Sequence, residues 1–398
     1  MKGYRFTACI VVAVAAAMRY PKAFLKWGDL DLRNPWLLLL VVQLVMFGMG
    51  SQMRLRDFAG VLRNPRGVLV GIVCHFSVMP LVGWLLTRLF HFPPEIAAGI
   101  ILIGSCSSGL ASNVMSYLAG ANLALSVTVT ALTTMLAPVM TPCLMKLLAG
   151  TLVEVSFLKM VLEITKIVLL PIGAALLADY LRNTTMKRQR QVLAAAAVGA
   201  VWLVALTSGG WARLRASLSP PVLTGIGLAG WLMASLLAGV IYHRLTRHWR
   251  GIERWLPVAS MAGIVYFTVA TTAAGRDNLL QVGPLLFLAA ALHNAAGYAF
   301  GYGLSRACGL DIPSARSVSF EVGLQNGGMA SGIAGAMGKL ATVGLAAAIF
   351  SPWMNISGSV LANYWRKRPG KAESKQAEPT KGAPVTAAVR KDTNDSFE

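Results

Sequence analysis

The sequence predicts an all-α polytopic membrane protein of about twelve spans, and three observations lead to this fold class. Hydrophobic residues make up 56% of the chain and charged residues only 13%, whereas a soluble domain carries about 25% charged residues. The apolar residues are gathered in runs that are long enough to cross a bilayer. Two of these runs, one early and one late, are interrupted by small and polar residues, which predicts helices that break inside the membrane.

The apolar runs follow one another along the whole chain. They lie at about residues 5–20, 35–51, 66–90, 94–119, 122–149, 156–181, 191–210, 220–243, 255–274, 282–306, 313–338 and 340–365. The first is interpreted as a retained helix, because the sequence Met18-Arg19-Tyr20-Pro21 is a poor signal-peptide cleavage site. Asn122 is expected to cap the helix that follows it. Residues 1–365 therefore form the transmembrane domain, and the tail, residues 366–398, is predicted to be disordered and cytoplasmic.

The basic residues predict the orientation of the chain. With a cytoplasmic N-terminus, alternate loops on the cytoplasmic side carry most of the arginines, and both termini lie inside. The formal charge of +20 also raises the question of nucleic-acid binding. Here, however, Lys and Arg stand between apolar runs and do not cluster on one face with aromatic residues. We therefore expect a bilayer as the partner, in a bacterial inner membrane, and no nucleic acid.

The first interruption, residues 105–113, contains four serines, one glycine, one asparagine and no charge. Ser112 and Asn113 lie at its end, and Ser126 and Thr130 are four residues apart on the next helix, so they share one face. Sodium is a hard cation that binds hydroxyl, amide, carboxylate and carbonyl oxygens. Single small polar residues usually pack membrane helices, but this set beside a broken helix favours a cation site.

The second interruption, residues 319–329, contains Glu321, with Gln325 and Asn326 about one turn further on. An acidic residue at mid-membrane costs about 2.5–3.5 kcal/mol even on the mildest scale, so it is retained where it is paired or functional. No Lys or Arg lies within this stretch, although Arg316 just before it is an alternative partner. The pattern favours a bound cation or a proton as the partner of Glu321.

Two further buried candidates are histidines. His75 could be a ligand, a proton carrier or a structural side chain with one hydrogen bond, and His293 has the same ambiguity. The sequence has no HExxH, GxSxG or CxxC pattern and no Cys-His pairing that would indicate catalysis. The glycine-rich residues 297–303 follow no predicted strand, so they are interpreted as a site of close helix packing. We expect no enzyme and no organic cofactor.

Five stretches resemble the bile acid:sodium symporter family, in particular its bacterial members. They are Phe47-Gly48-Met49-Gly50, Ala111-Ser112-Asn113-Val114-Met115, Ala124-Leu125-Ser126-Val127-Thr128-Val129-Thr130, Glu321-Val322-Gly323-Leu324-Gln325-Asn326 and Asn355-Ile356-Ser357-Gly358-Ser359. The resemblance implies a fold of inverted repeats, divided into a panel and a core domain, in which two broken helices cross at the sodium sites. Residues of about 186–250 have no counterpart in that pattern, and we interpret them as an inserted helical hairpin.

The resemblance also implies the ligands. The first sodium site would comprise Ser112, Asn113, Ser126, Thr130 and Glu321. The second would comprise His75, Glu321, Val322, Leu324 and Gln325, where His75 stands in place of a Gln of the relatives. Because nitrogen is a poor sodium ligand, coupling to a single sodium ion or to a proton stays open. The substrate would contact Leu110, Asn326 and Asn355.

The function implied by the resemblance is sodium-coupled symport of a small organic anion. A proton-coupled anion carrier or exporter that uses Glu321 and His75 is the alternative, and a membrane-embedded enzyme is disfavoured because no catalytic set is present. Pantoate-like acids, bile acids, other sterol conjugates and keto acids are all possible substrates. The sequence leaves the transport direction and the oligomeric state open.

Overall fold

The structure, a computed structural model, describes residues 2–249 and 251–368, and it describes side chains from residue 9 onward. The predicted tail therefore lies outside the described residues from residue 369. Within the described chain the helices are α1 (Lys2–Arg19), α2 (Pro35–Gly50), α3 (Gly60–Arg63), α4 (Pro65–Phe90), α5 (Pro94–Ser105), α6 (Leu110–Leu118), α7 (Leu123–Ala149), α8 (Phe157–Ile164), α9 (Leu170–Asn183), α10 (Met186–Ala205), α11 (Trp211–Ser217), α12 (Pro220–His248), α13 (Ile252–Ala274), α14 (Arg276–Ala307), α15 (Ile312–Gly323), α16 (Gly327–Ala336) and α17 (Val343–Arg366).

Shorter elements join these helices. Strands β1 (Lys26–Trp27) and β2 (Leu30–Asp31) form a small antiparallel pair between α1 and α2. Single wide turns with π-helical hydrogen bonding, Thr165–Leu169 and Leu206–Gly210, join α8 to α9 and α10 to α11. Tight 3₁₀ turns occur at Pro21–Phe24 and Leu55–Ala59.

Polar caps and prolines set the starts of several helices. Asn and Asp side chains accept a hydrogen bond from a backbone N–H of the first turn, at 2.9–3.1 Å, and so satisfy a group that the helix leaves unpaired. These caps are Asn34, Asn64, Asn122, Asp311 and Asn326. The predicted cap at Asn122 is confirmed. Proline lies directly after the cap in α2 and α4 and one residue further on in α15, within the first turn, where its missing N–H costs nothing.

Each of the twelve predicted spans coincides with one helix or with consecutive helices. Eight helical segments of the described chain are long and apolar enough to cross a membrane, and a ninth results if α2 is counted with Leu55–Arg63 across a bend of 64°. The helix pairs α5–α6 and α15–α16 are not among these segments, because a break in the middle of each pair leaves two helices that are too short. The two interruptions in the sequence predict these breaks. The number of helices that cross the bilayer stays a prediction.

The two broken pairs, α5–α6 and α15–α16, meet at their breaks. The backbone N–H of Asn326 donates to the carbonyl of Ser107 at 2.8 Å, and the N–H of Gly109 donates to the carbonyl of Leu324 at 2.9 Å. The two extended links thus pair like antiparallel strands. Helices α4, α7, α14 and α17 pack around this crossing. Backbone groups freed by the breaks are therefore bound by protein, which is what an apolar surrounding requires.

Helix α14 approaches α15 closely along its glycines. A Cβ atom on Gly297 would lie 2.8 Å from the Cα atom of Gly323, and one on Gly301 would lie 3.0 Å from the Cα atom of Ser319. Only glycine permits backbones to come so near. The interpretation of residues 297–303 as a packing segment is confirmed, and this contact fixes the last turn of α15.

The block from residue 186 onward forms two helical arms that lie beside α9. Helix α12 packs along α9, and α10 packs on α12. The first arm is longer than its predicted span, 191–210, because it begins at Met186 and resumes as α11 after a bend at Gly209, whose φ is +99°. The charges of Arg213 and Arg215 lower the local hydropathy, which is why the apolar pattern stopped short.

Candidate functional site

The carboxylate of Glu321 lies at the crossing and is completely buried. Its Oε1 atom accepts hydrogen bonds from the hydroxyl groups of Ser112 and Ser126, both at 2.5 Å. Its Oε2 atom accepts one from the hydroxyl of Thr130 at 2.8 Å. The structure therefore brings together four of the five residues expected in the first sodium site around one carboxylate.

Asn113 completes the set. Its side-chain oxygen lies 2.9 Å from the hydroxyl oxygen of Ser126 and 3.2 Å from that of Thr130. The hydroxyls of Ser112 and Thr130 are also 3.3 Å apart. Six oxygen–oxygen contacts thus join these groups, but the three hydroxyls supply only three protons. A cluster that has more oxygen–oxygen contacts than hydroxyl protons is chemically suited to a hard cation.

Three elements position these oxygens. Ser112 and Asn113 lie in the first turn of α6, which starts at Leu110 after the break. Ser126 and Thr130 lie on one face of α7, as their spacing predicted, and both contact the same carboxylate. Glu321 lies in the last turn of α15, which ends at Gly323. The breaks in both helices are therefore what allow three elements to converge on one point.

No ion pair of the described residues includes Glu321. The alternative partner, Arg316, donates instead to the backbone carbonyl of Arg368 at 2.7 Å, and its guanidinium group lies 5.6 Å from the ring centre of Trp365. The hypothesis that Arg316 neutralises Glu321 is therefore wrong. The reason is geometric, since these residues are five apart and do not share a face of α15.

The residues expected in the second sodium site also gather near the crossing. Both ring nitrogens of His75 face backbone carbonyls, Nδ1 that of Glu321 at 2.9 Å and Nε2 that of Cys106 at 2.8 Å. The side-chain N–H of Gln325 donates to the carbonyl of Val322 at 2.7 Å. The carbonyl of Leu324 accepts from Gly109 across the crossing. His75 thus lies between two carbonyl oxygens, and because a neutral imidazole has one N–H it donates to one of them, as a structural histidine with one hydrogen bond was expected to do.

The three expected substrate contacts divide into two groups. Asn326 caps α16 at the crossing, and Leu110 begins α6 directly beside it. Asn355 lies on α17, and its side-chain N–H donates to the carbonyl of Ser351 in its own helix at 2.9 Å. No hydrogen bond among the described residues joins Asn355 to the other two.

Methionine sulfur atoms accept from polar groups around the crossing. The backbone N–H of Gln325 donates to the sulfur of Met354, and the side-chain N–H of Asn326 donates to that of Met49, both at 3.3 Å. The hydroxyl of Ser107 points to the sulfur of Met329 at 3.6 Å. A thioether is a weak acceptor, so these donors are available to a stronger one.

Sequence reasoning assigned no role in the site to Ser108, to Asn294 or to the methionines at the crossing. Ser108 lies inside the first interruption, and its hydroxyl contacts both Ser112 and the carbonyl of Leu324 at 3.3 Å. Asn294, on α14, binds the carbonyl of Gly323 at 2.7 Å and so holds the end of α15. The serines of the interruption could have indicated Ser108. Nothing in the sequence distinguishes the methionines at the crossing from other buried methionines.

Comparison with known proteins agrees with this geometry. The sequence profile of the sodium bile acid symporter family matches residues 39–214. YocS of Bacillus subtilis, named an uncharacterized sodium-dependent transporter, is 33% identical over 94% of both chains. A chloroplastic protein of Arabidopsis thaliana, named probable sodium/metabolite cotransporter BASS1, is 30% identical over 81% of this chain and 65% of its own length.

A shorter match joins the chain to a human protein. The ileal sodium/bile acid cotransporter of Homo sapiens is 38% identical over 109 residues, which are 27% of this chain and 31% of that protein. These relatives are all named as transporters. The match to YocS, unlike the profile match, extends over nearly the full length and so includes the late half of the chain. The chain therefore belongs to the sodium bile acid symporter family, a family of sodium-dependent membrane transporters.

Proposed function

We propose that the protein is a symporter that couples the inward movement of sodium to the uptake of a small organic anion across a bacterial inner membrane. One observation carries this proposal: the buried carboxylate of Glu321 is surrounded by hydroxyl and amide oxygens and forms no ion pair with any residue that the structure describes. A buried charge without a partner is strongly unfavourable. A sodium ion bound among Ser112, Asn113, Ser126, Thr130 and Glu321 supplies the missing charge.

The anion site is supported by the donors at the crossing. The N-terminal ends of α6 and α16 meet there, and helix N-termini carry partial positive charge. A carboxylate is a stronger acceptor than the sulfur atoms that now accept from Gln325 and Asn326. An anion that enters displaces these sulfurs and gains charge-assisted hydrogen bonds. Sodium and anion then bind at the same two breaks, and the attraction between their opposite charges makes each favour the binding of the other.

Sodium titration of the purified full-length protein tests the proposal. At constant ionic strength, with potassium as the replacement ion, sodium is expected to raise the melting temperature in a saturable way because it binds only the folded state. Glu321→Ala is expected to abolish this rise. Thr130→Ala removes one oxygen ligand of the proposed site, so it is expected to weaken sodium affinity about tenfold, which corresponds to about 1.4 kcal/mol.

The matched control is Thr268→Ala. Thr268 is also buried, and its hydroxyl only donates to the carbonyl of Ile264 in its own helix, α13, at 2.9 Å. Sodium affinity is expected to stay unchanged in this variant. The proposal is rejected if the wild-type protein is stabilised equally by sodium and potassium. Stabilisation that follows pH and ignores sodium would instead support the proton-coupled carrier.

A further inference from the structure

The breaks in α5 and α15 release backbone carbonyl oxygens, and a protein N–H group or the ring of His75 lies against four of those that face the crossing. The carbonyl of Val322 accepts from the side chain of Gln325 at 2.7 Å. The carbonyl of Leu324 accepts from the N–H of Gly109 at 2.9 Å. The carbonyls of Cys106 and Glu321 lie 2.8 and 2.9 Å from the ring nitrogens of His75. A neutral imidazole has one N–H, so His75 donates to one of these two carbonyls and covers the other with its second ring nitrogen. On this backbone side of Glu321, three of the four carbonyls therefore accept from a protein donor, and the ring of His75 covers the fourth.

The side-chain side of Glu321 is different. There the carboxylate, the Asn113 amide oxygen and three hydroxyls make six oxygen–oxygen contacts, but the hydroxyls supply only three protons to form hydrogen bonds between them. An excess of oxygens suits a cation, whereas carbonyls that accept from protein donors or are covered by a side-chain ring do not. The two sides of one residue are therefore chemically unequal.

The ring of His75 accounts for this inequality. It is fully buried on α4 and lies between the carbonyls of Cys106, after α5, and Glu321, in α15. A hard cation holds its oxygen ligands at about 2.3–2.6 Å. Two carbonyls with an imidazole ring between them are too far apart to bind one ion. This holds whichever ring nitrogen carries the proton.

One polar atom remains beside these carbonyls. The side-chain oxygen of Gln325 is buried and has no hydrogen-bond partner among the described residues. It is an oxygen of the type that binds sodium. One amide oxygen is too few ligands for an ion while the neighbouring carbonyls accept from other donors or lie against the ring of His75.

We propose that His75 permanently occupies the second cation position of this transporter, and that the protein couples transport to one sodium ion per cycle. The inference rests on the proposed sodium symport and specifies its stoichiometry. One sodium ion carried with one monovalent anion moves no net charge. Transport of such an anion would then respond to the sodium gradient and not to the membrane potential.

Counting bound sodium tests this inference without knowledge of the substrate. Purified full-length protein is dialysed to equilibrium against radioactive sodium at saturating concentration, with potassium and choline backgrounds. The wild type is expected to bind one ion per chain. His75→Gln is expected to bind two, because it removes the ring from between the carbonyls and adds an amide oxygen. His75→Asn, measured alongside, is expected to do the same.

The matched control is His293→Gln. His293 is equally buried, and its ring bonds to the carbonyl of Met79 at 2.9 Å, but it lies on α14 and contacts neither break through a hydrogen bond in the described chain. This variant is expected to bind one ion.

Each outcome supports or overturns the single-ion stoichiometry. Two ions on the wild type overturn the inference and leave sodium symport standing, and so does a single ion on folded His75→Gln and His75→Asn. No sodium on the wild type overturns the proposed function, and the inference falls with it. If neither His75 variant folds, the number of sodium ions bound by the wild-type protein alone tests the single-ion stoichiometry.

Discussion

At the scale of single residues, Asn326 combines two tasks that can be separated by experiment. Its side-chain oxygen caps α16 through the N–H of Met329 at 3.0 Å, and its side-chain nitrogen donates to the sulfur of Met49. Asn122 is a matched residue, since its oxygen caps α7 through the N–H of Leu125 at 3.1 Å and its nitrogen donates to Ser314. Only Asn326 lies at the crossing.

Asn326→Ala and Asn122→Ala are therefore expected to differ in function and not in stability. Each loses an N-cap worth about 1 kcal/mol, which is measured as a similar fall in melting temperature. Sodium-driven uptake into proteoliposomes, tested with labelled pantoate, pyruvate and taurocholate, is expected to fall sharply in Asn326→Ala alone. An equal loss of uptake in both variants would remove Asn326 from the substrate site.

His75 and Glu321 show how one residue can set the chemistry of its neighbours. Glu321 offers its carboxylate to one side and its backbone carbonyl to the other. Hydroxyl groups of α6 and α7 donate to the carboxylate, and the imidazole of His75 lies against the carbonyl. The proposed single-ion stoichiometry follows from that one side chain on α4, so it is a property of this sequence and not of the family's fold.

At the scale of elements, the contact of α14 with α15 holds the carboxylate in place. Gly297 lies against Gly323, and Asn294, less than one turn earlier on α14, binds the carbonyl of Gly323. Helix α15 ends at Gly323, two residues after Glu321. A displacement of this helix end therefore moves the carboxylate relative to the hydroxyls of α6 and α7.

Gly297→Ala and Gly303→Ala test this contact on one helix. At Gly297 the new methyl group would lie 2.6 Å from the sulfur of Met79 and 2.8 Å from the Cα atom of Gly323. We expect a loss of about 1–3 kcal/mol from overpacking, and weaker sodium binding. At Gly303 nothing lies within 4 Å, and the higher helix propensity of alanine is expected to make the change neutral or slightly stabilising.

Thermal unfolding with and without sodium measures both variants. The role assigned to the α14–α15 contact would be contradicted if Gly297→Ala had the same melting temperature as Gly303→Ala and kept the wild-type sodium affinity.

At the scale of the whole molecule, loop charge predicts a topology that the helix arrangement leaves to experiment. Thr185, between α9 and α10, is expected in the cytoplasm, and Ser219, between α11 and α12, is expected on the opposite side. Both side chains are exposed. The five native cysteines, at positions 9, 74, 106, 143 and 308, must first be replaced.

Thr185→Cys and Ser219→Cys are expected to differ in intact cells. A membrane-impermeant maleimide is expected to label Ser219→Cys before lysis and Thr185→Cys only after it. The reverse order would invert the proposed orientation. Labelling of both from outside would mean that the arm formed by α10 and α11 does not span the membrane.

The sequence by itself determined the helices, the two breaks and several helix starts. These features depend on local causes: the length of an apolar run, the small polar residues that interrupt it, and a cap such as Asn122. The resemblance to a known family added the residues of the first oxygen cluster. It also drew attention to His75, because a different residue was expected there.

Only the tertiary structure decided how these parts act together. Ser112 and Glu321 are 209 residues apart, and no local pattern states that a hydroxyl of one lies 2.5 Å from the carboxylate of the other. Three further features also depend on how helices pack: the position of His75 between two carbonyls, the methionine sulfurs at the crossing, and the contact of Arg316 with Arg368. Periodicity and propensity act over a few residues, whereas the ion-binding chemistry depends on distances between helices that only the packed chain defines.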